Sequence, residues 1–566
     1  MPNNGDKNRD FKVGNLTLRG LGSFHKTLPH NEYGEVNSDA YEKLLAATEG
    51  RADFADVPDP NAARLANPQA GLAHDRLTQH PVSYSMPPAP QVLSATTAAE
   101  MTELYWMALL RDVSFDKFAT ESDVDAAATE IDSSFRVGIA DTGDEGRLKT
   151  GVDVPGGADT MAQITKQNLF RLGLPGEELG PFVSQFFLRS VHFGTQQIDQ
   201  KQVPYKSKRD YLKTFDEWLD AQRTGRDAVG QDYSHANENS KDNFEPNSRY
   251  ISTPRDLARF VNKDALHQAY FNATLILLSG GAKWTPGNPY SDTGALKKRE
   301  AGFGVLGAPH ILALVSEIAT RALKVVWNQK WQVNLRLRPE AYGGLVHVQE
   351  IGIGGSDGKR PYGLPGWVAT TEAASKVRSA NLTLLLPMAF TPGSPTHPAY
   401  GAGHATVAGV CVTILKAYFE TMDPKNGKPI PFKFLKERDE PYGDGAEIRC
   451  YQPGVVEVGQ DLPALPKEIS DQLTIEGELN KLAMNVAMGR SIGGVHWRTD
   501  NSRSLALGEA LAARVLADIT VDCTERPSFH FRTFSRKSDG KPKDVIVRQG
   551  GIYVDGKLVD TNTSAL

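Results

Sequence analysis

Three short clusters in the second half of this 566-residue chain carry side chains suited to one kind of chemistry. The first holds Lys330, Arg338 and Pro339. Lys330 and Arg338 lie near the end of a helix predicted over 308–337, roughly on one side of it. Pro339 forces Arg338 out of α geometry, which turns its guanidinium toward a common point with the ammonium. Alone, such a pair near a helix C-terminus most simply complements the helix dipole. The second cluster runs from His397 through Gly401, Ala402 and Gly403 to His404. Here a glycine-rich turn opens into an apolar helix predicted over 402–420, so free backbone N–H groups and the positive dipole end suit an anion. Its bland alternative is a glycine-rich entry to a core helix with two incidental histidines. The third cluster holds Arg490, Gly493, Gly494, His496 and Asp500. His496 and Asp500 share a face if both are helical, so the carboxylate can orient the imidazole. Paired glycines let the chain turn tightly between Arg490 and His496. Together, three cations, a helix N-terminus and two histidines make a site for a tetrahedral oxyanion with an imidazole as nucleophile or ligand.

In this combination the residues resemble the vanadium-dependent haloperoxidases, within the wider group that includes the type 2 phosphatidic-acid phosphatases. That group's pattern is Lys followed by ArgPro, then ProSerGlyHis, then SerArg followed by His and Asp. It corresponds here to Lys330 with Arg338-Pro339, to Gly401-Ala402-Gly403-His404, and to Arg490 with His496 and Asp500. Looser similarity to the marine bromoperoxidases extends over 98–519 and includes Gly287-Asn288-Pro289-Tyr290. The gap between Lys330 and Arg338, and His397 ahead of His404, resemble the bromoperoxidases rather than the phosphatases. Trp327 resembles an aromatic residue found near the halide.

The resemblance implies vanadate as cofactor, with phosphate as an occupant of the same shape. It implies hydrogen peroxide, bromide or iodide, and small organic acceptors as reactants. His496 Nε2 would be the single protein ligand to vanadium. Lys330, Arg338, Arg490 and the Gly403 N–H would hold the oxygens. His404 would be the acid–base group, and Lys330 would polarise bound peroxide. His397 would tune halide oxidation or hydrogen-bond to His404, Trp327 would line the halide pocket, and Asp500 would support a motif Arg or His. Ala402 stands where the family usually has Ser. The missing hydroxyl removes a hydrogen bond of about 1.5–3 kcal/mol to a charged oxygen, so weaker vanadate binding is expected, with water as the substitute. The main alternative is a vanadate-sensitive acid phosphatase acting through a phosphohistidine at His496. A third is a non-catalytic anion-binding protein with a degenerate site.

The elements that must position these residues read as mainly α. Helical patterns are predicted at 98–118, 158–172, 180–200, 208–222, 254–279, 308–337, 402–420, 474–490 and 500–520. The resemblance implies two packed four-helix-bundle-type halves in one body. Residues 1–95 read as an irregular arm laid on a partner subunit or on the body, 96–522 as the catalytic domain, and 523–566 as a tail. The tail contains a small β-hairpin at 544–559. The long connections 223–250, 280–307, 340–370 and 421–472 read as insertions. Lys and Arg total 63 against 68 Asp and Glu, a net charge of −5. Basic residues are not blocked, which argues against nucleic acid. Mean hydropathy is −0.38, and no apolar run reaches the ~20 residues of a membrane span. Cys411, Cys450 and Cys523 have no metal-site spacing, and Cys411 reads as core. No signal segment is visible, so the expected compartment is the cytoplasm. A homo-oligomer, a dimer or a multiple of one, is expected.

Overall fold

The computed structural model describes residues 6–73, 80–157, 159–354, 358–437, 446–559 and 566. In chain order the helices are α1 (Ser38–Thr48), α2 (Ala95–Leu109), α3 (Ser122–Ala140), α4 (Phe215–Thr224), α5 (Pro254–Lys263), α6 (Gln268–Ser279) and α7 (Ala308–Asn328), followed by α8 (Pro339–Glu350), α9 (Glu372–Asn381), α10 (Gly403–Tyr418), α11 (Lys467–Ser470), α12 (Ile475–Ile492) and α13 (Arg498–Asp522). At the centre α10 packs on α13, α12 and α7. Every residue of α10 except His404 is buried, as expected of a helix that is apolar all round. Two glycines allow its close approach to α13. A Cβ on Gly409 would stand 2.2 Å from Leu505 O, and one on Gly508 would stand 2.2 Å from Thr406 O. A second group, α2 with α3 and α9, meets the first through α12.

Strands are short: β1 (Asp10–Val13) with β2 (Leu16–Arg19), β3 (Val191–Phe193) with β4 (Gln196–Ile198), and β5 (Lys436–Glu437) with β6 (Ala446–Glu447). The expected C-terminal hairpin is part of a four-stranded antiparallel sheet, ordered β10-β9-β8-β7. It comprises β7 (Ser528–Arg536), β8 (Pro542–Arg548), β9 (Gly551–Val554) and β10 (Lys557–Val559). Lys416 on α10 donates to Arg532 O at 2.7 Å, and Glu509 on α13 accepts the Phe534 N–H at 2.9 Å. These bonds tie the sheet to the central helices.

Several predicted elements differ. The helix expected over 308–337 ends at Asn328, where a π-helical turn over 329–334 follows and Leu335 adopts φ 50°. Lys330 and Arg338 therefore do not lie on one regular helical face. The 254–279 pattern is two helices separated by an interruption at Asp264–His267. Over 180–200 the chain forms a short 3-10 turn and the β3–β4 hairpin, and residues 159–172 form no helix. Helices α1, α3, α8, α9 and α11 were not predicted; α8 runs from Pro339 into the stretch 340–370 read as insertion, and α11 lies within the one at 421–472.

The arm is more ordered than its composition suggested. It holds α1 and the β1–β2 hairpin and is laid across its own body. Lys7 Nζ donates to Gln332 O at 3.0 Å, and Asn328 Nδ2 donates to Gly71 O at 3.1 Å. Lys26 and Glu340, both buried, pair at 2.6 Å. All three cysteines are free and buried. Among the described residues no helix is long and apolar enough to cross a membrane.

Candidate active site

The π-helical turn brings Lys330 into the interior at the end of α7. Such turns are common where a helix serves a functional site. Lys330 is fully buried and its Nζ donates to Pro398 O at 2.7 Å and Ala399 O at 3.1 Å. Burial holds its pKa well below the usual lysine range, and the neighbouring Arg338 and Arg490 push it the same way. Arg338 is the N-cap of α8 with extended backbone, and Pro339 occupies the first helical position. The proline thus directs Arg338 out of the helix, as its type requires. Its guanidinium is clamped on three sides: Nε donates to His397 O at 2.8 Å and Nη1 to Val495 O at 2.6 Å. Nη1 also lies 3.0 Å from His496 Nε2, and Nη2 lies 2.9 Å from His397 Nδ1. Burial first, then Arg490, pulls its pKa down to about 9.

His496 lies just ahead of α13 rather than on it. Its bond to Asp500 arises because Asp500 occupies the first turn and turns back toward the helix entry. Asp500 Oδ2 is 2.9 Å from His496 Nδ1 and accepts the Trp497 N–H at 3.0 Å. A carboxylate only accepts, so His496 Nδ1 carries the hydrogen and Nε2 presents its lone pair. The other oxygen, Oδ1, accepts from Arg336 Nη1 at 2.7 Å. Asp500 thus supports His496 and Arg336, not one of the motif arginines. Arg336 also pairs with Glu100 at 2.7 Å, and Glu100 in turn accepts the Thr499 N–H. Burial, then Arg338, Lys330 and Arg490, keeps His496 neutral well below the usual histidine pKa.

Arg490 closes α12, with Nη1 donating to Val261 O at 2.5 Å. Its buried Nε has no hydrogen-bond partner. Among the described residues, neither Lys330, Arg338 nor Arg490 has a carboxylate within ion-pair distance. Unpaired buried cations are costly. Three of them near one imidazole, with Arg338 Nη1 3.0 Å from its Nε2, therefore mark a place for an anion. Among the described residues no group of three or more His, Cys, Asp or Glu has the arrangement of a bare metal-cation site. The donor set fits a tetrahedral oxyanion bound through a single histidine.

A cavity of about 340 Å³ adjoins this cluster, lined by Gly403, His404, His397, Trp327, Arg490 and His496 among others. His404, in the first turn of α10, is 3.0 Å through Nε2 from Asp264 Oδ1. Asp264 is the C-cap of α5 and carried no mark in the sequence reading. The His397 ring packs tilted against Trp327, with centroids 4.9 Å apart and planes at 39°. Of its two expected roles, the bond to His404 is replaced by the one to Arg338. His397 Nδ1 also lies 3.2 Å from Pro398 O, but Arg338, which only donates, is closer, so Nδ1 accepts and Nε2 carries the hydrogen; burial, then Lys330 and Arg338, keeps the ring neutral. Trp327 Nε1 donates to Ala66 O at 3.0 Å, so the N-terminal arm forms part of the wall. Ala402 is the N-cap of α10 and offers no side-chain cap; its N–H donates to Ser504 Oγ at 2.8 Å. It is fully buried and lines no part of this cavity.

The model of the VCPO second helical-bundle domain matches residues 312–521. Over 578 residues the chain is 32% identical to a vanadium-dependent bromoperoxidase of Corallina pilulifera, covering 91% of this chain and 90% of that protein. A vanadium-dependent bromoperoxidase of Ascophyllum nodosum is 32% identical over 531 residues, covering 90% of this chain and 85% of its own length. The homohexameric structure of the second vanadate-dependent bromoperoxidase of Ascophyllum nodosum superposes with a TM-score of 0.74. That match has 28% identity and covers 97% of this chain and 88% of the other.

Proposed function

The chain belongs to the vanadium-dependent bromoperoxidase family, and on that premise we propose that it uses hydrogen peroxide to oxidise bromide, and iodide, to hypohalite. Vanadate is its cofactor, and the released hypohalite halogenates small organic acceptors. The observation that carries this reading is the gathering of three buried basic side chains without carboxylate partners about His496, with Arg338 Nη1 3.0 Å from its Nε2. The relatives' names do not favour the phosphatase alternative. The relative solved as a homohexamer supports a homo-oligomer.

His496 Nε2 would ligate vanadium, its lone pair directed by the bond from Nδ1 to Asp500. Lys330, Arg338, Arg490 and the Gly403 N–H would hold the oxygens by charge-assisted hydrogen bonds. When bound, vanadate supplies a Lewis acid that activates peroxide without changing oxidation state. The cations are preorganised where oxygen charge accumulates, and Lys330 can add its proton's polarising effect at Nζ. His404, oriented by Asp264, takes the peroxide proton at Nδ1, the ring nitrogen that Asp264 leaves free. His397, neutral and with Nε2–H available, and the Trp327 ring form the wall against which the halide is placed.

The test is bromination of a phenolic dye by metal-free protein supplied with orthovanadate, peroxide and bromide. Turnover that depends on vanadate is expected. Absence of turnover with all three present, or rapid vanadate-sensitive release of phosphate from a monoester, would overturn the reading.

A further inference from the structure

Tyr233 has no place in the motifs, yet it lines the same cavity as His404, Arg490 and His496. It sits on a short 3-10 turn, Tyr233–His235, whose entry is fixed by Asp232 accepting the Ser234 N–H at 3.1 Å. The Tyr233 ring lies 5.5 Å from the Arg490 guanidinium and meets Phe390 edge-on at 5.7 Å. Turn, cation and aromatic edge thus hold the ring in place. Its hydroxyl is buried and has no hydrogen-bond partner. Buried tyrosine hydroxyls normally find one, and the nearby Arg490 Nε is unpartnered as well. Two orphaned polar atoms, on residues that touch each other and share one cavity, point to a ligand that completes both.

We propose that Tyr233 is a further oxyanion-binding residue, its hydroxyl donating to the tetrahedral anion that Arg490 also contacts. The proposal rests on the vanadate reading above. It also gives this chain a hydroxyl in the site despite Ala402. Residue 402 cannot supply one, and its side chain does not reach the cavity. A neutral donor adds a hydrogen bond without adding a fourth positive charge to a cluster that already disfavours its own protons.

Asn262 is another candidate partner for the hydroxyl. Asn262 Nδ2 is also buried and unpartnered, while Asn262 Oδ1 accepts from Tyr205 at 2.6 Å. Asn262 lies between Val261, whose carbonyl holds Arg490, and the turn carrying Asp264. The experiment therefore includes both residues.

Tyr233→Phe keeps the ring, and with it the contacts to Arg490 and Phe390, and removes only the hydroxyl. Equilibrium dialysis of orthovanadate and of inorganic phosphate against metal-free wild type, Tyr233→Phe and Asn262→Ala reads affinity without turnover. The expected result is a loss of about tenfold or more in anion affinity for Tyr233→Phe, the size of one hydrogen bond to a charged group. The thermal midpoint of the anion-free protein should be unchanged, and Asn262→Ala should bind as the wild type does. Affinity within about twofold of wild type for Tyr233→Phe, or an equal loss in Asn262→Ala, overturns the proposal. So does a raised bromide KM with unchanged vanadate affinity, which would place the hydroxyl on the halide. Wild type that binds no vanadate defeats the functional reading itself, a result distinct from a silent Tyr233→Phe.

Discussion

Asp264→Asn separates orientation from charge at His404. The amide can still hydrogen-bond to Nε2, but the carboxylate that fixes which nitrogen carries the hydrogen is gone. By analogy with partners that orient catalytic or ligating histidines, the expected cost is about 10–100-fold in kcat, with vanadate affinity changed much less. Steady-state kinetics with dialysis on the same preparation checks this, and equal losses in both would assign Asp264 to anion binding. At this scale the sequence was informative where chemistry is local. Lys330, Arg338, Gly403, His404, Arg490 and His496 fall in three compact segments, and the structure brings them together. Asp264, Arg336, Glu100 and Tyr233 were missed because each acts across a long separation and none carries a spacing that marks it. Asp500 was read as helical with His496, whereas its contact arises from the return of the first turn onto the helix entry.

The elements that hold the site include the N-terminal arm. Lys26 is buried against Glu340, and its Nζ also donates to Pro392 O at 2.7 Å and Ser394 O at 2.8 Å, just ahead of the His397 loop. Glu340 in turn accepts the Ser394 N–H at 2.6 Å and a Gln222 bond. Lys26→Met would leave that carboxylate buried without its cation, a change that costs on the order of 3–5 kcal/mol. A lower thermal midpoint and weaker vanadate retention are expected together, since the 392–397 segment carries His397. A midpoint drop with unchanged retention would show that the arm stabilises the body without shaping the site. Composition hid this role. The arm's turns and polar residues read as irregular because its order comes from bonds to the body rather than from its own periodicity. Helices α10, α12 and α13 were legible because long buried runs persist through them. By contrast, α3 presents its apolar face through small alanines with only Val124, Ile131 and Phe135 as large anchors. The break after α7 is a backbone event that no residue type announces.

Across the whole molecule, buried titratable groups set the response to acid. Burial lowers His25 to about 4 and His347 to about 4, and holds His30 well below its ordinary value. His25 and His30 face each other at 2.8 Å, with Arg223 on the His30 carbonyl. Unfolded histidine titrates near 6.5. Between about pH 6.5 and 4 the unfolded chain therefore binds more protons at these sites, and stability falls as pH falls. Glu177, raised by burial to about 7, acts in the opposite sense: its contribution grows as pH drops toward the unfolded carboxyl value. The difference between variants isolates the histidine term. His25→Gln should flatten the decline in thermal midpoint between pH 6.5 and 4, whatever its effect at neutral pH. An unchanged slope would mean that His25 is not an acid-sensitive group.

His496 as the vanadium ligand is tested most directly by retention of the metal. Metal-free wild type and His496→Ala are loaded with orthovanadate, free vanadate is removed by gel filtration, and vanadium per chain is measured. Wild type should retain stoichiometric vanadium and His496→Ala essentially none, although Lys330, Arg338 and Arg490 remain in place. Equal retention by the two proteins, or none by wild type, would contradict it.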